Sequence, residues 1–184
     1  GVLLSKSELN IMDIEDQLKE EWQQRPVESR DLDCLLKLIE TNWKRAIEVL
    51  GPAGLTLENT HPAFGHISFA FGSAISMRGK SALYQAHIDN LTIMPKDLAN
   101  QNCFSMLNAG LDDQRRSHGM YVEKLKAILA MEDESVAAIA TAIQEALEQA
   151  DEAQKLTRLF KEGLATLWKQ FYMPETLAAE DSTD

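Results

Sequence analysis

The stretch that decides the fold is residues 59–77, NTHPAFGHISFAFGSAISM, which contains no Asp, Glu, Lys or Arg. Because 26% of the chain is charged, an uncharged run of this length predicts the innermost element of a core. Gly65, Gly72 and Gly79 follow one another at intervals of seven residues within this run and just after it. On a helix this spacing drifts by only about 20° per heptad, so the three glycines form a nearly straight line. We expect that line to let a neighbouring backbone approach closely.

Two kinds of secondary structure fit residues 62–78. As a helix, the segment has an apolar stripe at Phe64, Ile67, Phe71 and Ile75. As a strand, its apolar and small residues alternate from Ile67 onwards, which suits a half-buried strand. The helix is favoured, but a short apolar run leaves the strand open. A membrane span is not expected, because it needs about 20 predominantly apolar residues and this run holds histidines, serines and a proline.

Length, charge and cysteine content favour one globular domain. The chain has 184 residues, and domains usually have about 100–200. Its net charge of −11 argues against a nucleic-acid binder, which needs basic patches to replace phosphate counterions. Cys34 and Cys103 are too few for a disulfide framework, so we expect reduced thiols and a cytoplasmic location.

Helical periodicity covers nearly the whole chain, and it is strongest over residues 32–50. We therefore predict an all-α, single-domain bundle of about seven or eight helices over residues 1–174, built around the glycine-rich uncharged helix. Residues 175–184 are predicted to be an acidic, disordered tail. A capping-box pattern at Ser5 and Glu8 predicts a first helix that ends near Gln24.

Helix ends are expected where the periodicity is interrupted. These positions are Pro26, Gly51-Pro52, residues 78–81, Pro95, Asp112 or Asp113, a start at Asp133 or Ser135, a change of phase near Ala150, and Pro174. The change of phase near Ala150 leaves two interpretations, because either two helices meet there or one long helix changes its packing partner.

Residues 74–81, AISMRGKS, resemble a P-loop in which alanine replaces the first glycine. In a P-loop, backbone N–H groups wrap the phosphates, and here Lys80 and Ser81 would hold the outer phosphates and Mg²⁺. A helix–helix turn is the favoured interpretation, because the surrounding βαβ pattern is missing. The alternative is a small helical enzyme or a ligand- or nucleotide-binding protein with a site near Gly72–Ser81. Its candidate residues are His66, Arg78, Lys80 and His87.

Other combinations of polar residues are incomplete. Glu58 and His61 form one Glu-x-x-His pair, whereas a di-iron bundle site needs two such pairs and further glutamates. Cys103 is predicted to be a packed thiol. Arg115, Arg116 and His118, with Tyr121, could grip an anionic group, but a solvated helix face is favoured. We therefore predict no cofactor, no metal site and no catalytic residue.

The leading functional hypothesis is a non-enzymatic helical interaction module, such as an adaptor, regulator or assembly subunit. Its possible interaction surface is Trp168, Phe171 and Tyr172, because large aromatic patches mark contact sites when they are exposed. The partner would be another protein or a second copy of the chain. An acidic inhibitor or nucleic-acid mimic is a further alternative, although the carboxylates are interleaved with Lys and Arg.

Overall fold

The computed structural model describes residues 29–93 and 98–172. These residues form four helices: α1 (Ser29–Leu55), α2 (Pro62–Ile93), α3 (Leu98–Leu129) and α4 (Glu134–Tyr172). No strand occurs within the described ranges, so the all-α prediction is confirmed and the strand alternative for residues 62–78 is wrong. The predicted first helix and the predicted tail, residues 175–184, lie outside the described residues.

The four helices form an antiparallel bundle in which each packs against two neighbours. Helices α1 and α3 both contact α2 and α4. The amide Nε2 of Gln85 on α2 donates to Asp33 Oδ1 near the start of α1, at 2.6 Å. Near the other end of α1, a Cβ on Gly54 would lie 3.7 Å from Ile67, close to the start of α2. Residues near the start of one helix thus contact residues near the end of its neighbour, so the two helices are antiparallel. Together with the short connections, this gives the up-down-up-down topology of four-helix bundles.

The prediction of seven or eight helices is wrong, because three expected breaks lie inside continuous helices. Residues 78–81 fall within α2, Asp112 and Asp113 within α3, and Ala150 within α4. Buried side chains continue on both sides of each position, so core packing outweighs the local helix-breaking signals. At Ala150 the second interpretation, one long helix, is confirmed.

The expected stop at Gly51-Pro52 is also wrong, but by only one turn. Helix α1 continues through Pro52 to Leu55. Proline removes one helical hydrogen bond, yet Ala53 immediately after it is buried and holds this last turn against the core. The Thr56 N–H and its hydroxyl then both donate to the Ala53 carbonyl, at 3.2 and 2.7 Å, which closes the helix end.

Two linked caps fix the start of α2 and the start of α4 at the same end of the bundle. His61 precedes Pro62, the first residue of α2, and its Nδ1 accepts the Ala63 N–H at 3.0 Å. Asp133 precedes α4, and its Oδ1 accepts the Val136 N–H at 2.9 Å. His61 Nε2 also lies 2.9 Å from Asp133 Oδ2, which joins the two caps. The predicted helix start at Asp133 is therefore confirmed.

The centre of the core is aromatic. Trp43 on α1 is fully buried and meets the ring of Tyr121 on α3 edge to face, with centroids 5.3 Å apart. The ring of His118, one turn earlier on α3, lies 6.2 Å from Trp43. Edge-to-face contacts of this kind stabilise a core beyond the burial of area alone. They connect α1 and α3 across the diagonal of the bundle.

Helix α2 turns its glycine line outward, not inward. A Cβ built on Gly65, Gly72 or Gly79 would have no neighbour within 4 Å. The expected close backbone approach at these glycines is therefore wrong, and α2 is one of four equivalent helices, not a central one. Alanines on the opposite side, Ala70 and Ala74, are fully buried and supply the small residues at the helix contacts.

Candidate functional site

One side of α2 remains uncovered by the bundle, and we call it the outer face of α2. Its residues share three properties: they are exposed, they are uncharged, and they recur at alternating intervals of three and four, as in a heptad repeat. They are Gly65, Ser68, Phe69, Gly72, Ile75, Ser76, Gly79, Ala82, Leu83 and Ala86. The buried residues of α2 have the same heptad spacing, so this helix carries two apolar seams.

Large and small residues alternate along the outer face. Phe69, Ile75 and Leu83 keep 38%, 40% and 54% of their surfaces exposed, and each lies about one helical turn after a glycine of the glycine line. A groove of about 360 Å³ runs beside Gly72 between α2 and α3. The Lys124 ammonium lies 5.4 Å from the centre of the Phe69 ring, so a cation marks the edge of this groove.

Apolar surface continues from the outer face of α2 towards the end of α1. A second groove, of about 430 Å³, lies between these helices and is bordered almost entirely by apolar atoms. Leu55, at the last position of α1, is 88% exposed at its rim. On the α3 side, Met106 and Met120 are 56% and 50% exposed. Exposed apolar side chains therefore lie on α1 and α3 as well as on the outer face of α2.

The structure does not bring the predicted ligand-site residues together. His66, Lys80 and His87 follow one another on α2 at intervals of fourteen and seven residues, so about 31 Å of helix separates the first from the last. Arg78 points into a different groove, between α1 and α2. Residues 74–81 are α-helical, so their N–H groups bond within the helix and form no phosphate-wrapping loop.

Trp168, from the predicted interaction surface, contributes to the packing between α3 and α4. Its ring meets Phe104 edge to face, with centroids 5.1 Å apart, and it is only partly exposed. Helix α4 extends to Tyr172, but the side chains of Phe171 and Tyr172 lie outside the described part of the chain. An interaction surface at these two residues stays a prediction.

A polar cleft of about 550 Å³ opens between α3 and α4. Of the residues singled out in the sequence, Arg115 and His118 line it, whereas Arg116 points elsewhere and pairs with Asp113. The sequence analysis did not identify the α4 side of the cleft. Lys155, Arg158 and Lys161 recur there at intervals of three. The sequence feature that could have revealed this side of the cleft is a set of three cations on one helical face of an acidic chain.

One ion pair and one histidine–carboxylate contact join the α3 and α4 sides of this cleft. Lys161 donates to Asp112, and this hydrogen bond is the main reason why the pKa of Asp112 is lowered. His118 Nε2 lies 3.4 Å from Asp151. Burial lowers the pKa of His118 against the opposing effect of that carboxylate, so the ring is mostly neutral at neutral pH.

Three further observations leave the set of candidate functions unchanged. In residues 29–93 and 98–172, no three His, Cys, Asp or Glu side chains group as metal ligands. No helix in these ranges combines the length and apolar character needed to cross a membrane. No family model, curated protein or solved structure matches the chain.

Proposed function

We propose that the protein is a non-enzymatic helical interaction module that docks through the outer face of α2, and that its partner is a second copy of the chain. The observation that carries this proposal is the uncharged heptad seam from Gly65 to Ala86, which the described bundle leaves exposed. Apolar seams with this repeat are the contact surfaces of packed helices.

The composition of this seam supports a docking role over a solvated surface. Helices of globular proteins usually carry charged residues on the side that faces water. Every exposed residue of α2 from Gly65 to Ala86 is uncharged, in a chain that is 26% charged, and the next exposed residue, Asp89, is the first that carries a charge. Contiguous exposed apolar patches of this kind mark protein-interaction sites in monomeric folds.

A second copy is the favoured partner because the outer face is complementary to itself. If two α2 helices pair antiparallel about a twofold axis, Gly72 of each copy can lie opposite Ile75 of the other. In the same register Gly65 comes next to Leu83, so each large side chain meets a glycine. Contacts in which one patch binds its own copy are the commonest arrangement among symmetric dimers.

The surface is also large enough for a specific contact. The outer face extends for about 32 Å along α2, and the grooves beside it widen the surface available for contact to about 20 Å, or two helix diameters. The product, about 640 Å² per copy, approaches the roughly 800 Å² that each partner contributes to a standard interface.

The test is the mass of the full-length protein in solution, measured by native mass spectrometry and sedimentation. We expect a dimer that becomes a monomer in Gly72→Glu, because that change places two carboxylates at the centre of the contact. The matched control is Gly119→Glu on α3, where a Cβ also has no neighbour within 4 Å. The control should remain dimeric, and both variants should keep the helical circular dichroism spectrum.

Two results would contradict the proposal. One is a dimer that survives Gly72→Glu, which would place the contact elsewhere. The other is a monomer at every concentration, accompanied by a lower melting temperature for Gly72→Glu than for Gly119→Glu. That second result would mean that another segment of the same chain covers the outer face.

A further inference from the structure

The cleft between α3 and α4 has closed ends and an open middle. The pair Asp112–Lys161 bridges the two helices at one end. His118 and Asp151 face each other at the other end, at 3.4 Å. Beside the His118 end, Gly119 leaves open space, since a Cβ there would have no neighbour within 4 Å. The cleft volume of about 550 Å³ lies within the range of small-molecule sites.

The middle of the cleft is positively charged, although the chain as a whole is strongly acidic. Arg115 from α3, with Lys155 and Arg158 from α4, lines it, and none of the three forms a salt bridge with any described residue. The neighbouring Arg116 is paired with Asp113 and lies outside the cleft. Cations usually distribute over an acidic surface as ion pairs, so three unpaired cations around one opening favour an anion there.

Buried polar atoms without partners lie along and behind the same opening. His118 Nδ1 and Gln154 Oε1 belong to residues that line the cleft, and neither has a hydrogen-bond partner among the described residues. Trp43 Nε1 and Tyr121 Oη, on fully buried rings next to His118, are also unpaired within that part of the chain. Because these atoms have almost no exposed surface, they mark the polar floor of the cleft, and its ligand contacts come from the exposed side chains around the opening.

We infer that this cleft binds a small phosphate monoester that carries hydroxyl groups, the chemistry of a sugar phosphate. The phosphate oxygens accept hydrogen bonds from Arg115 and Arg158, whose planar guanidinium groups suit bidentate contacts. Lys155 adds a third positive charge at the rim. The hydroxyl groups hydrogen-bond to the exposed carboxylate of Asp151 and to the amide of Gln154, which also line the cleft.

The test is calorimetric titration of the full-length protein with ribose 5-phosphate, with inorganic phosphate and ribose titrated separately. We expect ribose 5-phosphate to bind more tightly than either fragment. Arg115→Ala and Arg158→Ala should each weaken binding by about tenfold or more, the effect of losing a charge-assisted hydrogen bond. Arg116→Ala is the matched control, since it removes the same charge one residue away, outside the cleft, and should leave the affinity unchanged.

Gly119→Glu provides a second variant that the fold tolerates, and it should abolish binding by placing a carboxylate in the cleft. The inference is overturned if no probe binds, or if Arg116→Ala weakens binding as much as Arg115→Ala, which would indicate diffuse electrostatic attraction. It is also overturned if only vesicles containing phosphatidylinositol 4-phosphate bind, because the ligand would then be a membrane headgroup. Gly72→Glu should not alter the affinity, so this test is independent of the proposed dimer.

Discussion

Gly110 on α3 is the glycine whose replacement should be most informative about packing. A Cβ at this position would lie 2.9 Å from Cε1 and 3.0 Å from the hydroxyl oxygen of Tyr84 on α2. Tyr84 is only 3% exposed, so its rigid ring cannot swing into solvent to make room. We therefore predict that Gly110→Ala destabilises the contact between α2 and α3.

The size of the effect follows from two opposing contributions. Replacing glycine by alanine inside a helix favours the folded state by about 1 kcal/mol. Forcing an additional methyl group into a packed site costs about 1–3 kcal/mol. The net change for Gly110→Ala is then from about 0 to 2 kcal/mol of lost stability. Gly119→Ala, on the same helix with open space around it, should gain the full 1 kcal/mol or so.

The assay is thermal and urea unfolding of both variants, followed by circular dichroism at a protein concentration where the chain is monomeric. Because the helix-propensity contributions cancel, the difference between the variants isolates the overpacking cost. A gap of about 2 kcal/mol corresponds to about 4–8 °C in melting temperature for a chain of this size. Equal stabilisation of both variants would refute the reasoning, since it would mean that α3 does not approach Tyr84 this closely.

Three further predictions concern titration and capping. Asp133→Ala should lower the melting temperature, because it removes the acceptor for both the Val136 N–H and His61; Asp133→Asn, which can still cap α4, should lower it less. Burial lowers the pKa of His118 in the folded state, so the unfolded chain takes up a proton first as the pH falls. The free energy of unfolding should then decrease as the pH drops below about 6.5, with a smaller decrease in His118→Gln. Burial raises the pKa of Tyr84 from 10.0 to about 12. Since the unfolded chain loses this proton first, stability should fall as the pH rises from about 10 to about 12, and denaturant unfolding of Tyr84→Phe should show a weaker dependence.

The sequence was sufficient to predict the helical class but not the number of helices. Local breaker signals at residues 78–81 and near Asp112 predict helix ends, although each costs only about 1 kcal/mol or less in a helix interior. The buried residues Met77, Ser81 and Tyr84 keep the same spacing across the first of these signals. Over so many turns, core burial exceeds such local costs, so long helices persist through them.

The candidate sites were harder to predict because they depend on which helices become neighbours. The sequence identifies Arg115 and His118 on α3 as candidate anion-binding residues. Whether they form a site depends on Arg158, which lies 43 residues after Arg115 and lines the same cleft only in the folded bundle. Conversely, His66 and His87 share a helix yet remain far apart along its axis. Spacing within one helix predicts a shared face, whereas convergence between helices requires the topology.

The uncharged stretch, residues 59–77, also shows why an apolar helix need not be central. Its buried and exposed seams share one heptad period, so periodicity alone could not say which seam faces the core. The buried seam uses alanines at its close contacts, and the glycines lie on the exposed seam. A helix with apolar residues on two sides normally needs cover on both, and the described bundle covers only one of the two seams of α2.

The exposures also predict how tight the proposed dimer is. Phe69, Ile75 and Leu83 together expose little more than one full side chain, which corresponds to about 2–4 kcal/mol per copy when buried. Two copies gain about 4–8 kcal/mol, against an association cost of about 4–15 kcal/mol. Association therefore depends on further apolar contacts from residues such as Leu55 and Met120 at the flanks. We expect a dimer that dissociates on dilution, and a mass that stays dimeric at all dilutions would show that the contact is larger than the outer face of α2.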